Sequence, residues 1–286
     1  MVTLTSFIRK FFWRLSCHNV LACVLVFAAG IFFPAVKANG NASEGETFRL
    51  MSYNIRWGMG MDGEMDLERT AEVIRSEKAD FVALQEVDRG VERSGERDVV
   101  GELAELTELK YFAFGKNIDH QGGDYGNAFL SRYPILKTKN THLPQLGPGE
   151  RRGVLQVVLD VDGRELVVLN THFDHRSDDG ERMASVEAVK EDVLPEYEGL
   201  PMLFAGDFND VPGSRMHERM KERFTDIWEE VGEGEGLTSS SANPVRRIDY
   251  IFIKDTENVF PLKAWVPQSL ASDHLPLGLE FRLSDN

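Results

Sequence analysis

The chain has 286 residues, of which 47 are acidic and 32 basic, and its formal net charge at neutral pH is −15. This acidity argues against a protein that binds long DNA by neutralising its phosphates, because that affinity comes from lysine and arginine displacing counterions. The acidity does not exclude a protein that binds a small phosphate ester in a cleft that also holds a metal ion. The length allows a core of its own.

The first 38 residues predict a secretory signal peptide. Arg9, Lys10 and Arg14 precede an apolar run over Val20–Val36, and small residues follow just before position 39. An uncleaved membrane anchor is the alternative, although a run of about 17 residues is at the lower limit for crossing a bilayer. Both cysteines lie in this segment, so the exported part is predicted to have no disulfide. We expect a periplasmic or secreted protein.

Residues 39–46 form a polar lead-in that contains glycine, and we expect it to be flexible. Residues 47–286 show neither a Pro/Ser-rich linker nor an internal repeat, so we predict a single catalytic domain there. No feature of this region calls for an obligate protein partner, and we expect a monomer.

The first half of the domain alternates apolar runs with amphipathic segments. Phe48–Ile55 predicts a strand, and Asp66 is a good N-cap for a helix that ends near Lys78. A strand, a helix and two further strands are then predicted at Phe81–Leu84, Val99–Thr107, Tyr111–Gly115 and Asn127–Ser131. Pro134 is expected to end the last of these strands.

The second half begins with a hairpin, in which Leu155–Val161 and Glu165–Asn170 flank the turn sequence Asp162-Gly163. Helices are predicted at Gly180–Leu194 and Arg215–Phe224, and strands at Met202–Ala205, Ile248–Ile253, Ala264–Val266 and Leu277–Leu283. Gly232–Ser241 is expected to be a flexible surface loop, with a cover over a cleft as the alternative. Hairpins interleaved with helices favour an α/β sandwich, with two packed sheets and helices outside.

Acids, amides and histidines stand at the ends of these predicted strands. They are Asn54, Glu86, His172, Asp207, Asn209, Asp249, Asp273 and His274. Each one alone is more simply a turn or surface residue, because polar residues are common at strand ends. Together they supply hard oxygen ligands, a base for water and a donor for developing negative charge. This combination is typical of metal-assisted phosphoester hydrolysis.

Six motifs resemble, in order, those of the endonuclease/exonuclease/phosphatase superfamily of metal-dependent phosphoesterases. They are Tyr53-Asn54-Ile55-Arg56, Leu84-Gln85-Glu86, Asn170-Thr171-His172, Gly206-Asp207-Phe208-Asn209, Arg247-Ile248-Asp249-Tyr250 and Ser272-Asp273-His274. The resemblance spans Phe48 to Phe281. It implies an α/β (α+β) fold, a four-layer sandwich in which two mixed β-sheets pack face to face between helices.

The resemblance also implies roles for the residues around the metal and the water. Glu86 would be the main ligand of Mg²⁺ or Mn²⁺, with Asn54 beside it and Asp273 helping at the metal. Asp207 would orient or deprotonate the attacking water. Asn209 would hold that water or a phosphate oxygen.

Two histidines would contact the phosphate. His274 would donate to it, with Asp249 bonded to its other ring nitrogen to set the tautomer. His172 would contact it as in the sphingomyelinase, inositol-phosphatase, deadenylase and pancreatic deoxyribonuclease branches. The residues suggested for substrate binding are Asn127, Asp174, His175 and Arg176. Asn127 satisfying only a turn, and Arg176 pairing only with neighbouring acids, are the alternatives.

A closer resemblance is to an exported bacterial subgroup that is similar to the carboxy-terminal domain of a eukaryotic protein linked to glycosylphosphatidylinositol lipid remodelling. The shared segments are Glu86-Val87-Asp88-Arg89, Asp124-Tyr125-Gly126-Asn127-Ala128, Leu130-Ser131-Arg132-Tyr133-Pro134 and Thr171-His172-Phe173-Asp174-His175-Arg176. This resemblance implies a phosphodiesterase with a lipid- or inositol-related substrate, so a small phosphate ester or a lipid headgroup is expected.

Two other functions remain open at this stage. An exported nuclease acting on DNA or RNA would need a basic groove, which could be lined by Arg151, Arg152, Arg246 and Arg247. A non-catalytic binding module on the same fold is the second alternative, because a fold does not determine a function. Such a module would be expected to lack a metal or base residue, and none is missing.

Overall fold

The computed structural model describes residues 46–254 and 257–284. The predicted signal peptide at 1–38, and all of the lead-in 39–46 except its last residue, lie outside the described residues. Within the two described ranges, no helix is both long and apolar enough to cross a membrane.

Two six-stranded sheets form the framework of the described chain. The first sheet contains, in spatial order, β11 (Val259–Trp265), β12 (Leu277–Leu283), β1 (Thr47–Asn54), β2 (Phe81–Arg89), β4 (Gly123–Ser131) and β3 (Tyr111–His120). The second contains β5 (Ile135–His142), β6 (Gly153–Val161), β7 (Arg164–His172), β8 (Met202–Asp207), β10 (Asp249–Lys254) and β9 (Thr225–Asp226). Both sheets are mixed, because β1 with β2 and β7 with β8 are parallel pairs among antiparallel ones.

Both faces of each sheet are buried, as strand β8 shows. Leu203 and Ala205 belong to the core between the sheets, whereas Met202 and Phe204 pack in the outer core of the second sheet. Successive side chains of a strand point to opposite faces, so a fully apolar strand needs a cover on each side. The resulting four layers confirm the predicted sandwich.

Helices supply those covers, and their bounds are α1 (Leu67–Ser76), α2 (Val99–Thr107), α3 (Gly180–Ala188), α4 (Arg215–Lys221) and α5 (Ile227–Val231). Helices α1 and α2 pack on the first sheet, and α3 and α4 on the second. Asp66 caps α1 as predicted, because its side chain accepts from the backbone N–H of Arg69. After α3 the chain stays helical to Tyr197 with wider and then tighter turns. Pro195, which has no N–H, lies in the last of them.

The meander in the middle of the chain differs most from the predictions. Strand β3 continues to His120 and turns at Gln121-Gly122 directly into β4, and both turn residues have positive φ. Strand β5 was not predicted at all. Its polar residues include Lys137 and Lys139, which pair with Glu196, and lysines are common on edge strands because they oppose pairing with other chains. Such a strand has no apolar alternation to reveal it.

A buried polar clasp joins the two sheets directly beneath the strand ends. Gln85 Nε2 donates to Asn170 Oδ1 at 2.7 Å. Asn170 Nδ2 donates in turn to the carbonyl oxygens of Leu84 and Ala128, each at 2.8 Å. Because Asn170 lies on β7 and its partners on β2 and β4, these bonds hold the two sheets in a single relative position.

The variant Asn170→Ala should lose at least about 2 kcal/mol of unfolding free energy. It leaves more than one buried polar group without a hydrogen-bond partner, and each such group destabilises the fold by about 1–3 kcal/mol. Urea denaturation of wild type and variant measures the loss. Asn243→Ala, in an exposed position, is the matched control and should stay within about 0.5 kcal/mol. Equal effects of the two substitutions would contradict the role of the clasp.

Candidate active site

Polar side chains from both sheets converge where the strands end. In the second sheet, His172 at the end of β7 and Asp249 at the start of β10 are both paired in register with Asp207 of β8. In the first sheet, Asn54 ends β1 and Glu86 lies beside it on β2. Residues that are far apart in the chain therefore meet at one end of the sandwich.

Two of these residues, Glu86 and Asn209, have unusual backbone conformations that set the direction of their side chains. Glu86 has a φ of +57° and lies in a bulge where the pairing of β2 with β4 shifts between Leu84 and Val87. Asn209 has a φ of +53°. A left-handed backbone conformation is unfavourable for a residue that has a Cβ. Such residues and β-bulges are common next to functional sites, where they redirect a side chain.

The side chain of Asn54 connects the two sheets at the site. Its Nδ2 donates to Glu86 Oε1 at 3.0 Å and to Asp207 Oδ2 at 3.1 Å. Ser272 holds the backbone of the same residue, because its hydroxyl donates to the Asn54 carbonyl at 2.7 Å. One amide thus fixes the spacing between a carboxylate of the first sheet and a carboxylate of the second.

Asp207 is a buried acid whose proton can be exchanged near neutral pH. Its side chain is only 2% exposed, and its Oδ1 accepts from the backbone N–H of Asn209 at 3.0 Å. Burial raises the pKa of Asp207 to about 7, and the nearby Asp249 carboxylate adds to the effect. Asn209 is itself held, because its Nδ2 donates to the carbonyl of Phe173 at 3.1 Å. A carboxylate in this state is suited to act as a general base.

His274 and Asp249 form a charged pair beside Asp207. His274 Nδ1 lies 2.9 Å from Asp249 Oδ2, and its Nε2 lies 3.7 Å from Asp207 Oδ2. Burial opposes the charge of the imidazole, but the carboxylates of Asp249 and Asp207 outweigh it and raise the pKa of His274 to about 10. At neutral pH the ring is therefore protonated, and its Nε2–H can donate to an anion.

His172 is in the opposite state. Its Nε2 lies 3.4 Å from Asp207 Oδ2, and its Nδ1 is buried without a hydrogen-bond partner among the described residues. Burial lowers the pKa of His172 well below the usual 6.5, and the positive charge of Arg152 lowers it further. The site thus contains one charged and one neutral imidazole, and a buried ring nitrogen that a ligand would satisfy.

Negative charge is concentrated at Glu86 and Asp273. Burial raises the pKa of Glu86 and the carboxylate of Asp273 adds to this, so a cation at this position would relieve an unfavourable concentration of negative charge. Ligand atoms of Asp207, Asp249 and His274 are also close enough together to hold a metal. Asp249 and His274 already bond to each other, and a metal held by Glu86, with Asn54 and Asp273 beside it, stays a prediction from the family resemblance.

The residues suggested for substrate binding occupy different environments. Asn127 is buried and its Nδ2 donates to the backbone carbonyl of Gly153, so it links strands. Asp174 is buried and accepts from Arg176 Nε at 2.9 Å, and Arg176 also pairs with Glu181. These contacts match the alternative in which Arg176 pairs with the acids around it.

Two features near the site were missed or misread in the sequence. Thr238 is fully buried, and Ser239 pairs with His274, so the end of the predicted surface loop Gly232–Ser241 is instead part of the site wall. The backbone N–H of Asp249 donates to Thr238 Oγ1 at 3.4 Å. The other residue is Arg152, which was suggested only as part of a basic groove. It is 4% exposed and contacts Glu150 and the exposed His175.

The basic groove expected for a nuclease is not formed as predicted. Arg247 is buried in an ion pair with Asp226 at 2.7 Å, and Arg152 is buried as well. Only Arg151 and Arg246 are exposed among the four arginines. The reason is local, since the motif that supplies Asp249 places Arg247 behind the strand, where it packs over the ring of Tyr250.

A family model described as the Endonuclease/Exonuclease/phosphatase family matches residues 51–274. The chain therefore belongs to this family, and the arrangement above is its hydrolase fold. The chain is similar to the uncharacterized protein YbhP of Escherichia coli K12, with 30% identity over 252 residues that cover 83% of this chain and 97% of YbhP.

Two solved structures extend the comparison. One is an endonuclease/exonuclease/phosphatase from Beutenbergia cavernae, with a TM-score of 0.71, 27% identity and coverage of 83% of this chain and 72% of the other. The second is a mannosyl-6-phosphatase from Bacteroides thetaiotaomicron, with a TM-score of 0.68, 18% identity and coverage of 82% and 99%. The latter likeness shows a common fold.

Proposed function

We propose that the chain is a phosphoester hydrolase that depends on Mg²⁺ or Mn²⁺ and acts outside the cytoplasmic membrane. The observation that carries the proposal is the bridge of Asn54 between Glu86 and Asp207, with the charged His274 3.7 Å from the same Asp207 oxygen. A cation ligand, a base and a phosphate donor are thereby held in one cluster. The predicted export supports action on a substrate outside the cell or in the periplasm.

Asp207 is the general base in this mechanism. Its Oδ2 takes a proton from the attacking water, whose oxygen forms the new bond to phosphorus while the bond from phosphorus to the ester oxygen breaks. The alkoxide that leaves takes a proton from solvent water and becomes the alcohol. The Asn209 N–H holds the other carboxylate oxygen and so keeps Oδ2 directed into the site. A carboxyl whose pKa is close to 7 is ionised in a large fraction of molecules at neutral pH and still accepts a proton readily.

His274 supports the charge that grows on the phosphoryl oxygens. Its Nε2–H donates to one of these oxygens, and Asp249 keeps the ring protonated and correctly oriented. A divalent ion held by Glu86, with Asn54 and Asp273 beside it, would supply Lewis-acid stabilisation of the same charge. His172 lies on the other side of Asp207 and contacts the phosphate as a neutral ring.

The expected substrate is a small phosphate ester or a lipid headgroup, in keeping with the resemblance to the exported subgroup. Because a mannosyl-6-phosphatase has the same fold, the substrates tested should include a phosphomonoester. The pairing of Arg247 with Asp226 takes away one of the four arginines suggested for a nuclease groove, and the intact cluster disfavours a purely binding module.

The proposal predicts hydrolysis that requires a divalent cation. Purified protein should cleave p-nitrophenyl phosphate, bis-p-nitrophenyl phosphate or a member of a panel of phospholipids, inositol phosphates, nucleotides, DNA and RNA when Mg²⁺ or Mn²⁺ is present. EDTA should abolish the activity, and restored metal should return it. Glu86→Gln should weaken Mn²⁺ binding, measured by calorimetry, by about 10-fold or more, because it removes a charged ligand.

The matched control is Glu105→Gln, which removes one exposed acid far from the cluster and should leave Mn²⁺ binding unchanged. Activity that persists in EDTA, or Mn²⁺ binding that is the same in Glu86→Gln and wild type, would overturn the metal assignment. Absence of turnover on the whole panel, despite tight metal binding, would count against the hydrolase itself.

A further inference from the structure

Arg152 lies next to a strand that is two positions away in the sheet from the strand that carries Asp207. It directly precedes β6, and in the second sheet β6, β7 and β8 are neighbours in that order. Since adjacent strands lie about 4.8 Å apart, β6 is about 10 Å from the strand that carries Asp207. His172 of β7 lies between them. An arginine side chain can cover much of that distance and meet an anion whose other side faces Asp207.

The hydrogen bonds of Arg152 are incomplete. Nη1 contacts Glu150 Oε2 at 3.0 Å and Nη2 contacts His175 Nδ1 at 3.2 Å, whereas Nε is buried without a partner among the described residues. A guanidinium offers five N–H donors in a planar fork that matches carboxylate and phosphate oxygens. A buried donor without an acceptor is costly, so a ligand oxygen at Nε would satisfy it.

The charge of Arg152 acts on both sheets at the site. Burial is the largest cause of the pKa shifts of His172, Glu86 and Tyr125: it lowers the first pKa and raises the other two. The positive charge of Arg152 lowers all three pKa values. Arg152 therefore lies close enough to residues of both sheets for its charge to act on them. It provides positive charge beside His172, on the side of Asp207 away from Asp249.

The carboxylate of Glu150 binds the guanidinium of Arg152 from the solvent side. Its side chain is 44% exposed, whereas that of Arg152 is 4% exposed. The loop before Glu150 is tied down separately, because Arg176 Nη1 donates to the carbonyl of Pro148 at 2.8 Å and Glu181 accepts from the backbone of Leu146. A partly exposed carboxylate thus fills a position that an anionic ligand can take over.

We propose that Arg152 and His175 form an anion-binding subsite for a phosphate group of the substrate, and that the carboxylate of Glu150 takes the place of that phosphate when the site is free. The subsite extends the catalytic cluster past His172 and rests on the proposed phosphoester hydrolase function. Phosphate oxygens displace Glu150 and bind the guanidinium fork, including Nε.

The test uses inorganic phosphate as the probe and calorimetry on the full chain, in EDTA and again with Mg²⁺. Arg152→Gln should weaken phosphate binding about 10-fold or more, because a charge-assisted contact is lost. Glu150→Gln should strengthen it about threefold or more, because the competing carboxylate is removed. Arg152→Lys keeps the charge without the fork and should fall between wild type and Arg152→Gln.

Glu165→Gln is the matched control, since it removes an exposed acid at the opposite end of β7 and should leave phosphate binding unchanged. If Glu150→Gln and Arg152→Gln act in the same direction, or neither changes the affinity, the pair is only structural and the subsite is refuted. Should Arg152→Gln fail to fold, Arg152→Lys and Glu150→Gln still decide the question. Opposite effects without turnover of any ester would support the subsite and refute the hydrolase, whereas turnover without these effects refutes the subsite alone.

Discussion

Asp207→Asn is expected to lower kcat for phosphoester hydrolysis by a factor of about 10² to 10⁴, the usual contribution of a general base. The substitution preserves the size of the side chain, and its oxygen can still accept from the backbone N–H of Asn209. It cannot take a proton from water. Steady-state kinetics on bis-p-nitrophenyl phosphate measure the loss, and KM should change less than kcat because the base acts in the chemical step.

Asp119→Asn removes the same charge at an 89% exposed position and is the matched control, with kcat expected to equal that of wild type. Calorimetry with Mn²⁺ shows whether Asp207→Asn retains its metal. A kcat within about threefold of wild type, in a variant that still binds Mn²⁺, would assign the base to another residue.

Asp249→Asn is expected to move both limbs of the pH–rate profile to lower pH. In wild type the rate should rise as Asp207 loses its proton near pH 7 and fall as His274 loses its proton near pH 10. The Asp249 carboxylate helps to raise both pKa values, so its removal lowers both. For His274, burial is then opposed only by the more distant Asp207 and Asp273 carboxylates.

The profile of kcat/KM against pH, recorded between about pH 5 and 11, measures these shifts. Each limb should move by at least about one pH unit, since a carboxylate in direct contact commonly shifts a pKa by 1–3 units. Asp226→Asn is not a suitable control, because Asp226 is paired with the buried Arg247. Asp119→Asn again serves that purpose. A basic limb that stays near pH 10 in Asp249→Asn would show that another group sets it.

Most of the site could be named from the sequence because each residue belongs to a short local pattern. Asp207 and Asn209 follow an apolar strand, and Asp249 begins another one. The same reasoning failed where local pattern and tertiary role differ. Strand β5 is polar along its exposed edge, and Thr238 lies in a serine- and glycine-rich stretch that resembles a surface loop.

Arg152 shows the limit of sequence reasoning most clearly. The sequence suggested an exposed basic groove, whereas the fold buries Arg152 in an ion pair with Glu150 and Arg247 in one with Asp226. Burial and pairing depend on which strands are neighbours, and strand order follows from packing of the whole chain. The pKa values of Asp207 and His274 likewise depend on desolvation and on carboxylates brought from distant strands.

The sequence alone determined the family, the four-layer sandwich and the identity of the polar residues at the strand ends, because those properties are encoded in local runs of apolar residues and in motif order. Only the tertiary structure decided which histidine is charged, how Asn54 joins two carboxylates, and where Arg152 and Glu150 lie. These outcomes depend on distances of 3–4 Å between residues up to about 150 positions apart, such as Asn54 and Asp207, and such distances are set when the two sheets pack together.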